Sequence, residues 1–302
     1  MHKKLIALVC LVFAFSAALK AENQPSVEAP EFVILVTSYN NERYCEQNLA
    51  SIAWQKSSKP YRIIIVNDCS TDRTGELLES FIQTHSLESR VTLIHNEQRC
   101  YSLKNIYTTI HNNIEDHEIV VSVDGDDMLA SDKVLLRLEQ EYAKPYIHLT
   151  YGSSFPMGAP KKRKKKARRK GKIADEIIRT GTIRRSKGYF KASHLKTFRA
   201  GLFKHIKKED LMYEGEFFQA AGDVAFMYAM IDMLASTKPE EPIHVAFIPE
   251  IIYLYNTGNP INVYKSNRAR QHLLGTRIGS LPSYKPINTE LLPRSRQTKK
   301  QS

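Results

Sequence analysis

The stretch Ile119-Val120-Val121-Ser122-Val123-Asp124-Gly125-Asp126-Asp127 decides the fold class of this chain. Its first five residues form a short, mostly β-branched apolar run, which predicts a buried strand of a parallel sheet. The three aspartates follow at the carboxyl end of that strand, where open α/β sheets place their ligands. Carboxylates this close raise one another's pKa unless a cation lies between them. The stretch therefore predicts either a divalent metal that holds phosphate oxygens or an acidic turn before a helix beginning near Ser131.

Strand and helix patterns alternate on both sides of this stretch. The segments between the short apolar runs carry apolar residues at helical spacing. This alternation is typical of βαβ units and predicts an α/β fold, a doubly wound, mostly parallel sheet with flanking helices in a single domain. The predicted strands are Phe32–Val36, Ile63–Val66, Val91–Ile94, Ile119–Val123, Ile147–Tyr151, His244–Ile248 and Ile251–Tyr255.

The two ends of the chain are expected to lie outside this domain. Residues 1–21 combine a basic start, an apolar run from Leu5 to Leu19 and the small residue Ala21. This layout predicts a signal peptide or a membrane anchor, and hence a protein of the secretory pathway or one associated with a membrane. Residues 266–302 are polar and basic and are predicted to form a flexible tail.

The positive charge of the chain is concentrated in one segment. The formal net charge is +12, and the block from Lys161 to Lys172 alone carries ten positive charges. A block of like charges repels itself, which predicts a disordered basic insertion over residues 154–190. The alternative is that the block binds an anionic membrane surface or a polyanionic acceptor. No aromatic residue interrupts the block, so base stacking is not indicated and nucleic acid is not an expected partner.

Polar residues also follow the first two predicted strands. The segments Thr37 to Glu42 and Asn67 to Asp72 leave those strands at the edge where the aspartates leave the fourth. A turn explains each segment taken singly. Three polar strand ends at one edge of a doubly wound sheet together predict a ligand-binding crevice.

These segments resemble, in order, the three signatures of the family 2 glycosyltransferases with the GT-A fold. They are Val36 to Asn40, Val66 to Thr74, and Asp124 to Asp127, and the resemblance extends over Phe32 to Tyr255. It implies that residues 31–153 bind a UDP- or GDP-linked sugar donor with Mn²⁺ or Mg²⁺. It also implies an inverting transfer to a hydroxyl of a glycan or lipid-linked acceptor, which residues 191–265 bind.

The resemblance assigns roles to individual residues. Asp68 is expected to contact the nucleotide base, Asp124 the ribose or the metal, and Asp126 the metal, while Asp127 either assists or caps a turn. The residues expected to line the nucleotide pocket are Thr37, Ser38, Tyr39 and Glu42.

The acceptor side carries the expected catalytic base. In the family this base is an acid at the start of a helix, a place that Asp223 fills ahead of an apolar helical run. An aspartate at a helix start is also an ordinary N-cap, so both interpretations stay open. His194 is expected to contact the acceptor or the diphosphate, and Arg199 a phosphate.

Two features narrow the expected activity. The Gln-x-x-Arg-Trp motif of processive members is absent from the sequence and no long apolar segments follow the resemblance, so transfer of single sugars is expected. The alternative from another functional class is a secreted, non-catalytic module that binds polyanions through residues 161–172.

Overall fold

A computed structural model describes residues 31–160, 171–185, 192–236, 238–261 and 268–293. The predicted leader at 1–21 and residues 161–170 of the basic block lie outside the described residues. No helix within these ranges combines the length and apolarity needed to cross a membrane.

The first part of the chain alternates strictly between strand and helix. Its strands are β1 (Phe32–Ser38), β2 (Tyr61–Asn67), β3 (Val91–His95) and β4 (Ile119–Asp124). The helices between them are α1 (Cys45–Ala53), α2 (Thr74–Thr84) and α3 (Tyr101–Asn113). Because each helix returns the chain to the same edge of the sheet, β1 to β4 are all parallel.

The second part is less regular. Its strands are β5 (Met128–Leu129), β6 (Leu149–Pro156), β7 (Lys196–Arg199), β8 (Met212–Tyr213), β9 (Glu216–Phe217) and β10 (Val245–Tyr255). Its helices are α4 (Val134–Tyr142), α5 (Asp175–Arg179), α6 (Ala200–Lys204), α7 (Gly222–Met233) and α8 (Arg268–Ser280). Short 3₁₀ turns cover Ile183–Arg185, Lys208–Leu211 and Thr289–Leu291.

Eight of the strands form one sheet in the order β3-β2-β1-β4-β7-β6-β10-β5. Only β7 and β5 run antiparallel to their neighbours. The prediction of a doubly wound, mostly parallel sheet in a single domain is confirmed. The two predicted closing strands form the single strand β10, whose register shifts after Ile248, beside Pro249, which has no N–H for the ladder.

Side chains of alternate strand residues build an apolar core on each face of the sheet. Val33 and Leu35 of β1 point to the face covered by α3, α6 and α7, and Ile34 points to the face covered by α1, α2 and α4. Helix α7 is buried from Ala225 to Met233, as expected for a helix that is apolar on all sides. This burial fixes the start of α7 against the sheet.

Parts of the predicted disordered insertion (154–190) and of the predicted flexible tail (266–302) are packed against the domain. Ile173, Ile178 and Ile183 of the basic insertion are buried, as are Leu274 and Ile278 of the tail. Here local apolar residues outweigh the basic composition on which the prediction rested. Arg184 joins both segments to α7, because its Nε donates to Asp232 Oδ2 at 2.6 Å and its Nη1 donates to the Ile278 carbonyl at 2.8 Å.

Candidate functional site

A cleft of about 340 Å³ opens at the carboxyl edge of β1, β2 and β4, where the sequence predicts a crevice. A Cβ on Gly125 would lie 2.6 Å from the Ser38 Cβ, so only glycine lets the exit of β4 approach β1 this closely. Eight of the predicted site residues line the cleft: Thr37, Ser38, Tyr39, Asp68, Asp124, Asp126, His194 and Asp223.

At one end of the cleft, Asp68 is held by a network of protein donors. Its Oδ1 accepts from the Asn96 amide and the Cys100 N–H, both at 2.8 Å. Its Oδ2 accepts from the Tyr101 N–H and from Arg99 Nε, again at 2.8 Å. Burial opposes ionisation of this carboxyl, but the hydrogen bonds and the Arg99 charge outweigh burial and lower its pKa.

Arg99 is a cleft residue that the sequence reasoning missed. Its guanidinium carbon lies 3.1 Å from the centre of the Tyr39 ring, which places a fixed cation beside a predicted nucleotide-pocket residue. Arg99 leaves the end of β3, the strand exit that the sequence analysis did not consider. Asp68 holds the Arg99 guanidinium in place, so this end of the cleft presents a fixed guanidinium and an aromatic ring.

The other end of the cleft holds three crowded carboxylates. Asp127 is fully buried, and its Oδ1 accepts from the Asn256 N–H at 2.6 Å. Its Oδ2 has no hydrogen-bond partner among the described residues. Burial, together with the charges of Asp124 and Asp126, raises the pKa of Asp127 to about 8. Burial also raises the pKa of Asp126, whose Oδ2 accepts from the Asn259 amide at 2.7 Å.

This donor set fits a divalent cation. Asp124 and Asp127 each offer a carboxylate oxygen, and these two atoms and a ring nitrogen of His194 lie within 4.8 Å of one another. The buried, unpaired oxygen of Asp127 is the kind of group that a hard cation satisfies. Asp126, the expected principal ligand, lies outside this group of three but lines the same cleft.

A buried lysine that the sequence reasoning missed connects this end to the predicted base. The Nζ of Lys196 lies 3.1 Å from His194 Nδ1 and 3.2 Å from Asp223 Oδ2, and its side chain is only 4% exposed. Because an ammonium group can only donate, His194 Nδ1 accepts and the ring proton lies on Nε2, which faces Asp124 Oδ2 at 3.9 Å. Burial and the Lys196 charge lower the pKa of His194 to about 4.

Asp223 lies in the first turn of α7 and faces the cleft. The N-cap position belongs to Ala221, in a left-handed conformation with φ of 56°, and no side chain caps the helix. Asp223 is therefore not the N-cap, although its Oδ1 accepts from the next N–H, that of Val224, at 3.0 Å. Burial opposes ionisation of Asp223, but the neighbouring Lys196 outweighs it and lowers the pKa of this carboxyl.

Three predicted site residues do not line the cleft. Asp127 is fully buried, and the other two are Glu42 and Arg199. Glu42 is exposed, and its Oε2 accepts from the Arg73 N–H at 3.3 Å. Arg199 is 2% exposed, packs over the Tyr142 ring and donates to the His117 carbonyl at 3.5 Å. The structure does not bring the side chain of Glu42 or of Arg199 to the place where a donor phosphate would lie.

The direction of β7 explains why Lys196, and not Arg199, lies at the cleft. Strand β7 runs antiparallel to β4, so Lys196 pairs with Ser122 near the carboxyl edge and Arg199 pairs with Ile119 at the opposite edge. A parallel strand would have placed them the other way round. The only sequence signal for Lys196 is a charge at one end of the short segment Thr197-Phe198, with Arg199 at the other end, and strand direction decides which of the two faces the cleft.

Comparison with known proteins finds chains that resemble this one in sequence and fold. The Staphylococcus aureus poly(ribitol-phosphate) β-N-acetylglucosaminyltransferase TarS is 36% identical over 52 residues, which are 17% of this chain and 9% of TarS. The crystal structure of TarS 1–349 with UDP-GlcNAc superposes with a TM-score of 0.52 at 18% identity, covering 76% of this chain and 59% of that one. The chain thus spans less than two thirds of TarS.

A second solved structure shares the fold. The mannosyltransferase PcManGT of Pyrobaculum calidifontis, in complex with GDP-Man and Mn²⁺, superposes with a TM-score of 0.55 at 19% identity, covering 92% of this chain and 76% of that one. At these identities the two structures establish the GT-A fold of this chain. The model of the Glycosyl transferase family 2 matches residues 33–210, more than half of the sequence. The chain belongs to glycosyl transferase family 2.

Proposed function

We propose that this protein is a metal-dependent, inverting glycosyltransferase that moves one sugar from a UDP- or GDP-linked donor to a hydroxyl group of a glycan or lipid-linked acceptor. The observation that carries the proposal is a continuous series of contacts across the cleft, from Asp124 through His194 and Lys196 to Asp223. It connects an acidic, cation-binding end with an ionised carboxylate that can act as a base.

The donor would occupy the cleft with its nucleotide near Tyr39 and Arg99 and its diphosphate near Asp124. TarS with UDP-GlcNAc and PcManGT with GDP-Man and Mn²⁺ support this class of donor, since both share the fold. Asp124 and Asp127 would hold the cation through hard oxygen atoms. When bound, the cation neutralises charge on the departing diphosphate. His194 Nε2–H points into the same region and can donate to a phosphate oxygen.

The chain's own residues then complete the transfer. Asp223 takes the proton of the acceptor hydroxyl, whose oxygen forms a bond to the anomeric carbon as the bond from that carbon to the diphosphate breaks. Attack from the face opposite the diphosphate inverts the anomeric configuration. Lys196 keeps Asp223 ionised at neutral pH by lowering its pKa, so that the base is ready when the acceptor binds.

A donor screen by thermal shift tests the proposal. The protein is heated with UDP, GDP, ADP or CDP, each with and without Mn²⁺ or Mg²⁺. We expect one uridine or guanosine diphosphate to raise the Tm only when the metal is present, because binding to the folded state stabilises it by mass action. The corresponding nucleotide sugar is then incubated with acceptors, and release of the diphosphate is measured.

A matched pair of variants makes the screen specific. Asp124→Asn removes a carboxylate of the candidate metal group, whereas Asp175→Asn changes an exposed aspartate of α5. The metal-dependent shift should disappear in the first variant and persist in the second. Stabilisation that is the same in EDTA as in Mn²⁺ would refute metal dependence, and the absence of any stabilising nucleotide would refute the donor class.

A further inference from the structure

One buried tyrosine interacts with Asp124, Asp127 and His194, the three residues of the candidate metal group. The two aspartates follow β4, whereas His194 precedes β7, so the three residues come from segments far apart in sequence. Tyr253 belongs to neither segment, since it lies in β10, and it is fully buried. It is therefore placed to fix the two segments relative to each other.

The hydroxyl group of Tyr253 fixes the backbone at Asp124. Its oxygen accepts from the Asp124 N–H at 3.1 Å. Asp124 is the last residue of β4, where the chain leaves the sheet and enters the acidic turn. The hydroxyl also lies close enough to Asp127 for the two groups to affect each other's pKa. This one polar group thus touches both carboxylates that offer an oxygen to a cation.

The ring of Tyr253 fixes His194. The two rings are stacked, with centroids 4.7 Å apart and planes 8° from parallel. The Nδ1 atom of His194 already accepts from Lys196. A ring that is held by its face and at one nitrogen has little freedom to turn, so Nε2–H keeps its direction toward Asp124 Oδ2. Stacking on Tyr253 therefore aims this N–H into the acidic end of the cleft.

The loop that follows β10 continues this support. The Asn256 N–H donates to Asp127 Oδ1 at 2.6 Å, and the Asn259 amide donates to Asp126 Oδ2 at 2.7 Å. Each of the three aspartates is thus contacted from the segment between Tyr253 and Asn259. Contacts of this outer kind orient the groups that bind a metal, and metal affinity falls when they are removed.

We propose that Tyr253 is a positioning residue for the acidic end of the cleft, whose hydroxyl sets Asp124 for a divalent cation and whose ring sets the His194 N–H for a diphosphate. Tyr253 does not line the cleft, so it acts through these two residues. The inference rests on the proposed function, since it concerns the same cation and the same donor.

Binding measurements on the full-length protein test this role. The electron paramagnetic resonance signal of free Mn²⁺ gives the Kd for Mn²⁺ alone, and calorimetry at saturating Mn²⁺ gives the Kd for UDP or GDP. Tyr253→Phe removes the hydroxyl and keeps the ring, whereas Tyr253→Leu removes both. Tyr61→Phe is the matched control, because Tyr61 is also buried and accepts from a backbone N–H, that of Gln55, at the start of β2.

We expect Tyr253→Phe to raise the Kd for Mn²⁺ about tenfold, while Tyr61→Phe keeps the wild-type value. Tyr253→Leu should in addition raise the Kd for the nucleoside diphosphate, because the His194 ring is no longer held. Excess Mn²⁺ should restore metal binding to Tyr253→Phe, which a loss of folding would prevent. If Tyr253→Leu does not fold, Tyr253→Phe alone decides.

The inference is overturned if Tyr253→Phe binds Mn²⁺ as tightly as the wild type does. It is equally overturned if a folded Tyr253→Leu binds the nucleoside diphosphate as tightly as Tyr253→Phe does. Failure of the proposed metal dependence would look different, because the wild type itself would then bind no Mn²⁺, and both proposals would fall together.

Discussion

Each end of the cleft holds a buried carboxylate, and the pKa values of the two carboxylates are shifted in opposite directions. Asp68, at the nucleotide end, is 2% exposed, and its two oxygens accept four hydrogen bonds. Asp127, at the metal end, is fully buried beside two other aspartates, and one of its oxygens has no partner among the described residues. The pKa of Asp68 is lowered, and that of Asp127 is raised to about 8.

This difference shows which end is complete without a ligand. The donors around Asp68 already stabilise its charged form, so that end of the cleft is organised by the protein alone. The charged form of Asp127 has fewer donors, chiefly the Asn256 N–H, and is repelled by Asp124 and Asp126, so a bound cation would stabilise it. We therefore expect the acidic end to bind a cation, because crowding and burial of its carboxylates disfavour their charged forms in the metal-free protein.

The largest expected effect is on the rate of transfer, and it comes from replacing Asp223, which belongs to neither end of the cleft. Asp223→Asn removes the proton acceptor but leaves the groups around Asp68 and Asp124 in place. We expect the rate of transfer to fall about 10³-fold, within the range that general-base residues contribute. Stabilisation by the nucleoside diphosphate and metal should persist in a thermal-shift measurement. Transfer at the wild-type rate would show that Asp223 serves only the start of α7.

The next expected effect is on the pH dependence of the free energy of unfolding, to which Asp68 and Asp127 contribute in opposite directions. The folded pKa of Asp127 is raised, so the metal-free folded state binds the extra proton and stability falls as pH rises from about 4 to about 8. The folded pKa of Asp68 is lowered, so its contribution is present above the ordinary value of 3.8 and is lost as pH falls below it.

Chemical denaturation in EDTA at several pH values measures both slopes. Asp127→Asn should remove a decline of at most about 1.4 kcal/mol per pH unit between pH 5 and 8. Asp68→Asn should leave that decline unchanged and instead lower stability by about 1–3 kcal/mol at neutral pH, because charged hydrogen bonds are lost. The difference between Asp68 and Asp127 is refuted if, near neutral pH, stability changes with pH in both variants as it does in the wild type.

Most of the fold could be predicted from the sequence because the parallel half depends on local patterns. The apolar run before Asp124 forms β4, and its register with β1 brings Thr37 beside Asp124, as the polar strand exits predicted. The direction of β7 depends on its pairing with strands distant in sequence, which the local pattern does not specify. Strand β7 lies between β4 and β6 and runs antiparallel to both, which places Lys196 and not the expected Arg199 at the cleft.

The candidate site was predicted less completely than the fold for a similar reason. The sequence identified Asp124, Asp126 and Asp127 as a cluster, but only packing shows that Asp127 turns inward to Asn256 and joins His194. Arg99 likewise approaches Asp68 through a loop whose course no periodicity specifies. Contacts between residues far apart in sequence are set by the folded core and not by spacing.

A smaller effect should follow from removing the charge of Lys196. In Lys196→Met, Asp223 loses the cation that lowers its pKa, so the base is protonated over a wider pH range. We expect the acidic limb of the pH profile of kcat to move to higher pH. Lys196→Arg keeps the charge and is the control. A fall in kcat with no change in the profile would mean that Lys196 only packs the cleft wall.

The smallest expected effect concerns Glu42, which the sequence placed in the nucleotide pocket. The side chain is exposed, and its carboxylate accepts from the Arg73 N–H in the loop before α2. Glu42→Gln keeps an acceptor oxygen there, so the donor KM should stay within about twofold of the wild type, as for most surface substitutions. Tyr39→Ala, which changes a lining residue stacked on Arg99, should raise the donor KM more. If Glu42→Gln raised the donor KM as much as Tyr39→Ala, Glu42 would have to move into the cleft when the donor binds. The end of the cleft around Asp68 would then not be fully organised before binding.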